Sequence, residues 1–169
     1  MSKPRRILGI DTSLRSTGIA VVDRSGSGFQ SLEFHILDNP RTRKHSECLK
    51  RIYDGVLEVI ERTSPDAASI EGIFHCKNVR TAVTLGQARG AALTACAAAG
   101  IPVYEYSPRK VKQSVCGTGA AHKDQVAKMV TSMLALETVP RDDESDALAI
   151  AICHFHSQTS IASLAPDQI

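Results

Sequence analysis

The order of its apolar runs is what most limits the folds open to this chain. Residues 7–10 (ILGI), 18–23 (GIAVVD) and 32–37 (LEFHIL) are short apolar or alternating stretches broken by Gly, Ser and Asp, a pattern of three antiparallel strands in a meander. Between Asn39 and Pro65 the period changes. Leu49, Ile52, Tyr53, Val56, Leu57 and Ile60 recur at three and four residues, which predicts an amphipathic helix. A fourth strand is predicted at Ala68 to Ile73, an Ala-rich helix at about Asn78 to Ala99 and a fifth strand at Ile101 to Tyr106. Two further helices are predicted at His122 to Leu136 and Asp143 to about His156. Strands that alternate with helices need crossover connections, so the expected fold is α/β: a mixed five-stranded sheet flanked by helices on both faces.

At 169 residues the chain is long enough for one well-buried core, and residues 1–157 read as one domain. Residues 158–169 carry no periodic apolar face, so a disordered tail is expected there. No run approaches the roughly 18 apolar residues of a membrane helix, and the short basic start is not followed by a leader-like stretch. A cytoplasmic protein is expected. The five cysteines are odd in number and widely spaced without a C-x-x-C, which favours reduced, mostly buried thiols over a disulfide framework or a zinc site. His154 and His156 do not share a helix face, so they are expected to be structural or exposed rather than metal ligands. A formal charge of +2 marks no partner by itself. Its distribution says more: basic residues gather at Arg41, Arg43 and Lys44, at Lys77 and Arg80, and at Arg109, Lys110 and Lys112, while acids crowd Asp142 to Asp146.

Four carboxylates occupy positions that a sheet of this order can bring together. Asp11 ends the first strand and Glu71 the fourth, where an ionised group sits beside the core and needs a partner. Asp143 and Asp146, three apart at the start of the last helix, share one face with Cβ atoms roughly 5–6 Å apart. Acids also favour a first helical turn for reasons of capping and dipole, so that pair alone would prove little. Clustered with Asp11 and Glu71 it implies a hard cation with oxygen ligands, for which Mg2+ and phosphodiester hydrolysis are the natural fit.

Seven motifs follow one another in order: LGID at Leu8 to Asp11, R-x-T-G at Arg15 to Gly18, IE-x-x-F-x-x-KN at Ile70 to Asn78, LGQARG at Leu85 to Gly90, VKQ-x-V at Val111 to Val115, G-x-G-x-A-x-K-x-QV at Gly117 to Val126, and D-x-x-DALAIA at Asp143 to Ala151. Together they resemble the RuvC Holliday-junction resolvases, a branch of the RNase H-like superfamily, from about Arg6 to Ser157. The resemblance implies an RNase H-like nuclease that resolves four-way junctions by paired symmetric nicks in recombination and repair. It implies Asp11, Glu71, Asp143 and Asp146 as catalytic ligands for Mg2+, two ions per site with Mn2+ able to substitute. Lys123 would join them in catalysis, and Lys112 and Lys123 would meet DNA. Phe74 would hold the junction centre, with Lys77, Arg80 and Arg15 on phosphates. A homodimer is implied, with the RuvAB branch-migration complex as a partner. One departure stands out: Thr12 and Ser13 follow Asp11 where the family has Pro-Gly.

Three other readings compete. An RNA-processing nuclease of the YqgF type is disfavoured by the Phe74 segment, by LGQARG at Leu85 to Gly90 and by the Lys112 and Lys123 motifs. An actin-like ATPase needs two such domains. A module that binds branched DNA without cutting it would not need all four acids.

Overall fold

The computed structural model describes residues 5–26, 28–73, 78–158, 166 and 168–169. Its elements run β1 (Arg6–Asp11), β2 (Ser16–Ser25), β3 (Gly28–Asp38), α1 (His45–Thr63), β4 (Ala67–Glu71), α2 (Val79–Ala98), β5 (Val103–Tyr106), α3 (Pro108–Cys116), α4 (Lys123–Met133) and α5 (Asp142–Ser157). The five strands form one sheet in the order β3-β2-β1-β4-β5. β1, β2 and β3 pair antiparallel, and β4 and β5 continue parallel to β1. This is the expected mixed sheet with helices on both faces.

Side chains alternate across each strand, so residue parity decides the layer. Leu8, Ile10, Ile19, Val21, Ala68, Ile70 and Val103 pack with α1 and α2 on one face. Ile7, Ala20, Val22, Ala67 and Tyr106 pack with α3, α4 and α5 on the other. α1 buries Cys48, Ile52, Val56, Val59, Ile60 and Thr63, a stripe at spacings of three and four, and ends with Ser64 in the left-handed conformation. α5 differs. Every residue from Ala147 to Phe155 is buried, because the sheet covers one side of the helix while α3 and α4 cover the other.

α3 departs from the predicted element list, which had no helix between β5 and His122. Its signals are present in the sequence: the Ser107 side chain accepts from the Lys110 N–H at 3.2 Å, Pro108 occupies the first turn, and Gly117 closes the helix at φ 75°. A single buried pair, Val111 and Val115, was too short an apolar pattern to declare it. Of the segment expected to be a disordered tail, Gln158, Pro166, Gln168 and Ile169 are described. β5 is a sheet edge with free backbone groups, and Gln168 bridges Tyr104 while the Ile169 N–H donates to the Val103 carbonyl at 3.0 Å. Among the described residues no helix is long and apolar enough to cross a membrane. Cys48, Cys96 and Cys153 are buried free thiols and Cys116 is half-buried; Cys76 lies outside the described residues.

Candidate active site

Strand parity brings the four acids to one place. Asp11 has the parity of Ile7, and Glu71 that of Ala67, so both carboxylates point to the α5 side at the adjacent carboxyl ends of β1 and β4. α5 begins above them. In its first turn the Glu144 side chain accepts from the Arg141 N–H at 2.8 Å and acts as a cap, which leaves Asp143 and Asp146 as the pair directed to the sheet.

Two glycines let the helix come this close. A Cβ at Gly9 would strike the Ala147 carbonyl oxygen, and one at Gly18 would strike the Asp143 carbonyl oxygen. Gly18 is the register partner of Asp11, so the notch that admits Asp143 lies beside the acid it must approach. The Ser69 hydroxyl adds a bond to the Ile150 carbonyl at 3.2 Å further along the helix. Small residues of β1, β2 and β4 thus form the track on which α5 lies.

The electrostatics record the crowding. Burial, then repulsion from Asp146, Glu71 and Asp143, pushes the Asp11 carboxyl up to about 7. Glu71 is also pushed up to about 7, by burial and by Asp146, with Lys123 and Lys112 opposing. Burial raises Asp146 as well, although Lys123 stands beside it with Nζ 3.3 Å from the carboxylate. Asp143 receives a hydrogen bond from the Ser16 hydroxyl. Among the described residues no three carboxylate, imidazole or thiolate side chains already stand in ligand geometry around one point. Like charges 4 Å apart repel by about 4 kcal/mol at an effective dielectric of 20, the scale of the repulsion that raises these carboxyls.

The basic residues divide into two groups. Lys123 and Lys112 both act on the acids, the first by direct contact and the second on Glu71. Arg80 is exposed in the first turn of α2, whose N-terminus is capped by the Asn78 side chain. Arg15 is exposed and lines one surface hollow with Arg80, while one of its guanidinium nitrogens donates to the Pro40 carbonyl at 2.8 Å and the Arg43 carbonyl at 3.2 Å, bracing the basic loop before α1. Phe74 and Lys77 lie outside the described residues. In the turn after Asp11, Thr12 is buried, while the Thr17 hydroxyl donates to the Ser13 carbonyl at 2.6 Å and accepts from the Ser13 N–H at 3.3 Å. Both histidines are structural: buried His154 bonds the Tyr106 hydroxyl at 2.8 Å, and exposed His156 meets Ser114. Gly9, Gly18 and Ser16 carry no role in the sequence reading, although the R-x-T-G motif contained two of them.

The sequence profile of the crossover junction endodeoxyribonuclease RuvC family matches residues 7–154. A protein of that name from Chloroflexus aggregans is 48% identical over 157 residues, covering 92% of this chain and 96% of its own length. That of Clostridioides difficile is 43% identical over 152 residues, covering 89% and 90%. Among solved structures, T. thermophilus RuvC in complex with Holliday junction substrate is similar at a TM-score of 0.89 with 34% identity, over 98% of this chain and 99% of that one. The yeast mitochondrial Holliday junction resolvase Ydc2 shares the fold, with a TM-score of 0.63 at 13% identity over 90% of this chain and 78% of its own. A profile that spans most of the sequence, and relatives matched almost end to end, place the chain in the RuvC family of crossover junction endodeoxyribonucleases, which are metal-dependent nucleases.

Proposed function

We propose that this RuvC-family endonuclease cuts four-way DNA junctions at the cluster of Asp11, Glu71, Asp143 and Asp146, working as a homodimer in the cytoplasm. The observation that carries this reading is the convergence of four carboxylates, from two strands and one helix, on one face of the sheet. Oxygen donors alone, with no imidazole or thiolate among them, suit Mg2+, and Mn2+ can take its place. The raised Asp11 and Glu71 carboxyls fit a site built to be neutralised by a cation. Four carboxylates give enough donors for two ions. Bound there, Mg2+ would supply the Lewis-acid chemistry of phosphodiester hydrolysis that leaves 5′-phosphate and 3′-hydroxyl ends.

The protein's own groups do the rest. Asp11, Glu71, Asp143 and Asp146 hold the cations. Lys123, beside Asp146, would present its charge to a phosphate bound at the acids. Lys112, near Glu71, meets the backbone of the same strand. Arg80 and Lys77 extend the phosphate track, and Arg15 shapes the neighbouring basic loop. Phe74, between Glu71 and α2, stacks on bases opened at the junction centre. Residues 1–157 act as one nuclease domain.

A junction has two-fold symmetry, and paired nicks need two sites related in the same way. The outer face of α2 supplies a surface for a second copy. Val79 is 80% exposed, Val83 54% and the neighbouring Ile73 39%, while Gly90 faces open space. A large exposed apolar set beside a bare glycine suits close helix approach. RuvAB, the branch-migration complex, is the proposed partner on the junction.

The test is a synthetic mobile four-way junction incubated with and without Mg2+. Paired symmetric nicks that need the metal, and their loss by several orders of magnitude in Asp146→Asn with junction binding retained, are expected. Binding in Mg2+ with every strand intact would refute the reading.

A further inference from the structure

Strand β2 touches Asp143 twice. Ser16 and Gly18 are two residues apart and so lie on the same face of the strand. Gly18 leaves room for the Asp143 main-chain carbonyl, and the Ser16 hydroxyl donates to Asp143 Oδ2. One contact sets the backbone and the other sets the side chain. An aspartate in the first turn of a helix otherwise has several rotamers open to it, and a ligand that must first be ordered binds more weakly. Ser16 is itself held by the sheet, in register with Asp38 of β3, so the donor stands on a strand and not on a loop.

The two acids of α5 are therefore held differently. Lys123 holds Asp146 with a full positive charge, which an entering cation must push aside. Ser16 holds Asp143 through a neutral hydroxyl, which leaves the carboxylate its whole charge and its second oxygen for a cation. We propose that Ser16 is a positioning residue for the metal site, fixing the Asp143 carboxylate before the cation arrives. The inference rests on the reading of Asp143 as a metal ligand.

The experiment compares Ser16→Ala, Ser16→Thr and Asp143→Asn in the full chain, with Mn2+ as the probe. Calorimetric titration of Mn2+ into the protein alone reads affinity, and nicking is followed across a Mg2+ series. In Ser16→Ala the Mn2+ dissociation constant and the Mg2+ midpoint should both rise about three- to tenfold, the net effect of one ordinary intramolecular hydrogen bond. The nicking rate at saturating Mg2+ should stay within about twofold of wild type, and Ser16→Thr should restore both midpoints, as one preorganising hydroxyl requires. Unchanged Mn2+ affinity in Ser16→Ala, beside its loss in Asp143→Asn, would overturn the role of Ser16 alone. A defect that saturating metal and Ser16→Thr both fail to repair would overturn it too, since it would mark a structural residue. Wild-type Mn2+ affinity in Asp143→Asn would instead refute the reading of the site.

Discussion

Replacing Asp11 by Asn removes one charge from the crowded site at nearly constant volume, and in metal-free buffer it should stabilise the fold. The Asp11 carboxyl rises from 3.8 to about 7, roughly three pH units. At about 1.36 kcal/mol per unit, that sets a ceiling near 4 kcal/mol on the cost of keeping it ionised in the native state. Repulsion shared with Glu71 and Asp146 is counted at each partner, and the amide of Asn is also buried, so about 1–3 kcal/mol is the expected gain. For a chain of this size that is about 3–10 °C in melting temperature.

The sign follows from proton counting. Because the native carboxyl is raised, the folded protein keeps a proton that the unfolded chain has lost between about pH 4 and 7. Wild-type stability therefore falls as pH rises through that window. The advantage of Asp11→Asn should be small near pH 4.5, grow up to pH 7 and level off above. Thermal melts with EDTA from pH 4.5 to 8 measure it. Mg2+ should then reverse the order, since a ligand at 100 times its dissociation constant adds about 2.7 kcal/mol to the form that binds it. If the variant in EDTA at pH 8 melts no higher than wild type, or its advantage does not shrink toward pH 4.5, the account of the cluster is wrong.

Gly18→Ala should cut nicking by at least about tenfold while losing only about 1–3 kcal/mol of stability, because the added carbon lifts the start of α5 off the sheet; an active variant with wild-type metal affinity would refute it. Lys112→Ala should flatten the salt dependence of junction binding by about 0.9 in the log–log slope, the share of one phosphate contact, as read by titrations at several salt concentrations. Val83→Asp should shift the sedimentation profile from dimer to monomer and turn paired nicks into single ones, with folding preserved because Val83 is exposed; a dimer unchanged at micromolar protein would place the interface elsewhere.

Much of this arrangement could be read from local pattern. Asp11 and Glu71 each end an apolar run, and strand parity alone sends both to one face. Asp143 and Asp146 declare their shared face by a spacing of three. What could not be read was what holds these parts together. Ser16 and Asp143 are 127 residues apart, and nothing near either one tells that a serine hydroxyl will meet that carboxylate. Gly9 and Gly18 looked like ordinary glycines in strands, since their reason for lacking a side chain is a carbonyl on a helix far along the chain. Arg15 is a phosphate contact by the family resemblance, and what the sequence did not show is that one of its guanidinium nitrogens also donates to the backbone carbonyls of Pro40 and Arg43. α3 was missed for a different reason: its helix ends were written in Ser107, Pro108 and Gly117, but its apolar face was too short to show a period.

α5 supplies two of the four acids and is also the element with the sheet beneath it and α3 and α4 above it. Local opening frees the least packed segments first, and a helix enclosed on two sides is among the last to leave. By the time α5 detaches, the core on that face has gone with it. Short of that, local opening of less enclosed segments leaves Asp143 and Asp146 where they are, so the placement of these two acids should be as durable as the core beneath them.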